Sequence, residues 1–94
     1  MRQIFIVNAH IVDANGAFNT LTGYPKTFDS KNYGGDIDKT QRRAEGEFSE
    51  CWGAMCKRDD RPMQTAILMD ASGFVLDRKT AGSVPDVAPT PNEE

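Results

Sequence analysis

One histidine, two cysteines and two adjacent aspartates are the residues of this 94-residue chain best suited to covalent or metal chemistry. A cysteine nucleophile needs a base within hydrogen-bond reach, and His10 is the only imidazole available to Cys51 or Cys56. Cys51 falls on the apolar stripe of a predicted helix, where a thiol behaves as a small hydrophobe. Cys56 is the more reactive candidate, but no nucleophile-elbow or flanking motif accompanies it. The two thiols stand five residues apart, on different helix faces, which does not suit a disulfide within the helix. One histidine and one cysteine pair also fall short of a structural zinc site.

The segment "KRDDRP", Lys57–Pro62, surrounds Asp59 and Asp60 with three cations. Paired carboxylates can bind magnesium or act as acid and base. A solvated connection whose arginines neutralise the carboxylates accounts for them equally, and that is the expectation. The related stretches "VDANGAF" and "MDASGFV" raise calcium. A calcium loop of the EF-hand type needs its glycine at position six, and here it comes at position four. No catalytic, metal or cofactor site is therefore expected, and the chain does not read as an enzyme.

A different set of residues points to binding. Opposite the apolar stripe of the predicted helix lie Lys39, Arg42, Arg43, Gly46, Ser49, Gly53 and Lys57, with Glu50 among them. Two glycines inside a helix cost roughly 1 kcal/mol each relative to alanine. Their small size leaves a shallow trough through which another backbone can approach. A protein partner fits there, and so does a phosphate backbone held by Lys39, Arg42, Arg43 and Lys57. A plain solvated face is the third reading. Trp52 flanks the stripe, either as a core-edge residue or, if exposed, as an interface anchor. Tyr24, Phe28 and Tyr33 are grouped nearby without any recognisable nucleic-acid-binding pattern.

These residues must be positioned by a small framework. The run "QIFIVNAHIVD" alternates Phe5, Val7, Ala9 and Ile11 with a mixed set of Ile4, Ile6, Asn8, His10 and Val12, which predicts a central strand. Asn15-Gly16 suits a two-residue hairpin turn, and "AFNTLTGYPKTF" returns as a second strand, with Pro25 marking an edge. A loop follows, then a helix from an Asp36 cap to about Arg58, with Ile37, Gln41, Ala44, Phe48, Cys51 and Met55 on one stripe. "MQTAILMD", the turn "DASG" and "FVLDRKT" form a second hairpin. The echoed stretches are thus the two turns of a ββαββ chain.

The fold expected is α+β: two β-hairpins flank one central helix, which lies on one face of a four-stranded antiparallel sheet. Residues 1–82 make a single domain. Residues 83–94, with three prolines and terminal acids, read as a disordered acidic tail. A net charge of −3 argues against a strongly basic nucleic-acid binder but leaves a local basic face open. "IFIV" is too short for a signal-peptide core or a membrane span, so the cytoplasm is the expected compartment and no membrane is expected as partner. A single sheet with one helix leaves its other face uncovered. The function expected is therefore a small non-enzymatic protein-binding module acting as a homodimer. Nucleic-acid binding through the cationic helix face ranks second.

Overall fold

The computed structural model describes residues 1–84. It is an α+β fold in which one central helix lies against a sheet of five antiparallel strands. The strands are β1 (Ile4–Val12), β2 (Phe18–Thr20), β3 (Lys26–Asp29), β4 (Met63–Asp70) and β5 (Val75–Gly82). A 3-10 turn (Ser30–Tyr33) leads to the helix α1 (Ile37–Met55). The tail expected at 83–94 lies outside the described residues, apart from Ser83 and Val84.

β1 is central, as its one fully apolar and one partly apolar face predict. It pairs with β4 along one edge and with β2 and β3 in turn along the other. The single returning strand expected after the first turn is therefore two strands, interrupted at Leu21–Pro25. At the gap the Ala9 carbonyl accepts the Leu21 amide at 2.9 Å. The Ala9 amide has no strand beside it and donates instead to Asn8 Oδ1 at 2.9 Å. A side chain thus closes the backbone accounting that β2 and β3 leave open. The Tyr24–Pro25 peptide in this gap is cis.

Both turns depart from the two-residue form, and they do so identically. Among the described residues no non-glycine has positive φ, so Asn15 is not left-handed; Gly16 and Gly73 are, at φ 85° and 94°. The Gly16 and Gly73 amides donate to the Asp13 and Asp70 carbonyls. The Asp13 and Asp70 amides donate to the carbonyls of Ala17 and Phe74. The first loop is therefore one residue longer than expected, and in both glycine takes the left-handed position that closes the turn, as expected for Gly73. The Asp Oδ1 accepts the amides of Asn15 and Ala17 in one turn and of Ser72 and Phe74 in the other.

The helix begins as its sequence predicts. Asp36 is the N-cap, accepting the Lys39 amide at 3.0 Å. It ends at Met55, about three residues early, because the chain tightens: Lys57 and Arg58 amides reach only three residues back, to Ala54 and Met55. Gln64 Nε2 also donates to the Met55 carbonyl at 2.9 Å. Thr40, Ala44, Phe48, Cys51 and Met55 are buried against Phe5, Val7, Ala9, Ala66 and Leu68. Burying an aromatic such as Phe48 contributes roughly 1.5–3 kcal/mol. Thr40 replaces Gln41 at the N-terminal end of the buried stripe, its hydroxyl donating to the Asp36 carbonyl at 2.7 Å.

The helix covers β1, β3 and β4. All eight residues of β5 are exposed. Among the described residues, the other face of the sheet has no helix on it.

Candidate functional site

The cationic helix face is assembled largely as its spacing predicts. Lys39, Arg42, Arg43, Gly46 and Gly53 are all exposed on α1. A Cβ added at Gly46 or Gly53 would meet nothing within 4 Å, so the trough is open and does not press on the chain's own strands. Among the described residues, none of Lys39, Arg42, Arg43 or Lys57 pairs with a carboxylate within 4 Å. One expectation needs correction. Lys57 lies in the turn beyond the helix, since α1 ends at Met55, and so leaves the helical row. Trp52 is half-buried and packs against the core, the first of the two readings its sequence position allowed, and is only partly available as an exposed anchor. Exposed Asp38, Glu45 and Glu50 interleave with the cations and dilute the field along this face.

The open face of the sheet is built differently. Directly paired residues on neighbouring strands share a face. Ile6 pairs with Met69, Asn8 with Ile67, His10 with Thr65, and Met69 with Val75. With Ile4 they form a mixed face opposite the helix, apolar at Ile4, Ile6, Ile67, Met69 and Val75 and polar at Asn8, His10 and Thr65. Val12, expected on a mixed face, is buried because Phe18 and Met63 flank it on the two adjoining strands. Phe18 also stacks on His10, with ring centroids 5.1 Å apart. Charge enters this face only at its borders, as Arg78 and as the Arg2–Asp29 pair. Arg2 holds both Asp29 oxygens and is the main reason the carboxyl is lowered to about 2.

The groups with nucleophile or metal potential are kept apart. His10 faces the open side of the sheet, whereas Cys51 lies in the core beneath the helix. Burial pushes the Cys51 thiol up, and its hydrogen donates toward Met55 Sδ at 3.6 Å. Cys56 is exposed beyond the helix end. Asp60 is occupied by Arg58, with Nε–Oδ1 at 3.1 Å and Nη2–Oδ2 at 2.7 Å, and the hydrogen bond lowers its pKa. Among the described residues, no three His, Cys, Asp or Glu side chains gather as metal ligands.

A cluster that sequence reasoning missed ties the broken edge to the helix. The Tyr24 hydroxyl donates to Glu47 Oε2 at 2.6 Å, and Lys26 Nζ lies 3.2 Å from the same oxygen. Burial, followed by contacts with Cys51 and Glu47, raises the tyrosine pKa. Glu47 lies on the helix flank next to the Phe48 position, and only the three-dimensional course of Leu21–Lys26 brings its partners to it. Tyr24 and Phe28 pack against the core.

Compared with family models, with curated proteins and with solved structures, the chain matches none of them. Function must therefore be argued from the surfaces themselves. Among the described residues no helix is long and apolar enough to cross a membrane.

Proposed function

We propose that this chain is a non-enzymatic protein-binding module that works as a homodimer, using the part of its sheet that the helix leaves uncovered. One observation carries the reading: the sheet is larger than its cover. Ile4, Ile6, Ile67, Met69 and Val75 line a face with no second layer, and β5 is exposed throughout. Contiguous apolar surface on a small domain favours association with another protein. The separation of His10 from both thiols and the capture of Asp60 by Arg58 leave no convergent catalytic set to favour an enzyme. Light scattering on the full chain at high micromolar concentration is the test. A mass of two chains is expected, and a mass of one chain removes the homodimer.

A second reading is favoured by the exposed Lys39, Arg42 and Arg43, which pair with no carboxylate among the described residues. They suit a nucleic-acid backbone, with affinity that falls steeply with salt and is lost when Arg42 and Arg43 become glutamate. The acidic neighbours Asp38, Glu45 and Glu50 weigh against it. A flat mobility-shift titration at low salt eliminates it.

A further inference from the structure

β5, at eight residues, is the longest of the described strands that are paired along one edge only. β4 occupies one of its two edges, and among the described residues nothing occupies the other. The Ser83 amide donates to the Pro62 carbonyl at 3.1 Å, continuing the register in which Met63 opposes Gly82. Antiparallel pairing alternates along a strand. Asp77, Lys79 and Ala81 therefore aim their backbone groups at β4, while Arg78, Thr80 and Gly82 aim theirs outward. Consistent with this, the Arg78 amide donates to Asp77 Oδ1 at 2.8 Å. Exposed apolar side chains gather on the same strand and its flanks: Phe74 and Val84 are 65% and 61% exposed, and Val75 and Leu76 join them.

We propose that β5 pairs antiparallel with β5 of a second copy, across a two-fold axis at Arg78, so that one sheet runs through both chains. This rests on the homodimer reading and locates it at the exposed β5, while the face of Ile4, Ile6, Ile67 and Met69 stays on one side of the joined sheet. A two-fold axis normal to the sheet keeps each face on its own side, so a residue opposes only residues of its own face. Asp77 and Lys79 share the helix side, where Lys79 Nζ lies 5.9 Å over the Phe48 ring. Charge then chooses among the central registers. An axis at Asp77 opposes two carboxylates, and one at Lys79 opposes two ammonium groups. An axis at Arg78 sets Asp77 opposite the second copy's Lys79, and Lys79 opposite its Asp77. Two unlike pairs offset the single apposition of Arg78 with Arg78. On pairing, the Arg78 amide passes from the Asp77 carboxylate to the second copy's Arg78 carbonyl, and the freed carboxylate meets the lysine.

Charge exchange on the full chain tests this, with mass and dissociation constant read by sedimentation and folding checked by circular dichroism. Asp77→Lys and Lys79→Asp each create two like pairs, and each is expected to weaken the dimer roughly tenfold or more. Mixing the two variants restores both unlike pairs and is expected to restore a dimer containing one chain of each. Arg78→Thr, a favourable strand residue at an exposed position, removes the central repulsion and tightens the dimer; this arm stands even if a charge variant fails to fold. A wild-type dimer with Arg78→Thr and the charge variants unchanged overturns the β5 interface and leaves the homodimer standing elsewhere. A wild-type monomer overturns both.

Discussion

In each hairpin turn a single carboxylate oxygen accepts two backbone amides, at Asp13 from Asn15 and Ala17 and at Asp70 from Ser72 and Phe74. The repeated Asp-Ala-polar-Gly pattern is legible in the sequence because those amides lie within four residues of the carboxylate. Its loop length is not, since Asn-Gly serves two-residue and three-residue loops alike. Gly82 shows another limit of local reading. Its φ is +79°, and an added Cβ would lie 1.9 Å from the Pro62 carbonyl oxygen, a contact made across the sheet. Gly82→Ala is expected to destabilise the fold by roughly 2–3 kcal/mol, measured by urea denaturation. Acid stability belongs to this scale as well. The folded-state pKa of Asp29 is depressed to about 2, first of all by its hydrogen bonds from Arg2. Its contribution is therefore complete above the ordinary carboxylate range near about 4 and is lost as pH falls toward the folded value. Asp29→Asn should flatten the loss of stability between those two pH values in a series of denaturation midpoints. An unchanged pH profile would show that the Arg2 pairing contributes nothing.

Among the elements, the helix was the most readable, because its cap, its stripe and its polar face are all local patterns. Asp36 caps it, and Ala44, Phe48, Cys51 and Met55 are buried at the spacing that predicts burial. The second strand was misread for the opposite reason. Whether Phe18–Asp29 forms one strand or two depends on what lies beside Ala9, and the Asn8 side chain supplies what a continuous strand would have supplied. The outer face of the helix allows a prediction in the opposite direction to Gly82. Gly46 and Gly53 have helical backbone and open space around them. Gly46→Ala and Gly53→Ala should each raise stability by about 1 kcal/mol in the isolated chain. If the trough seats a partner, the same substitutions weaken that binding while stabilising the fold, a combination that a merely solvated face does not produce.

At the scale of the molecule, one helix of nineteen residues lies on a sheet that extends past it. Ile4, Ile6 and Val12 announced a partly apolar second face, shared with Asn8 and His10, from their alternation alone. The exposure of β5 had a weaker signal: "FVLDRKT" opens on three apolar residues and closes on four polar ones, with no alternation to mark a covered face. The candidate cationic site was likewise legible residue by residue, except that the early helix end moves Lys57 off the row and packing holds Trp52 against the core. Uncovered sheet is thus the largest feature that neither helix, turn nor core explains, and association through it is the central claim. The most direct test is the mass of the intact wild-type chain in solution, followed by light scattering from low to high micromolar concentration. The account predicts a reversible rise to twice the mass of one chain. A mass that stays at one chain across that range would contradict it.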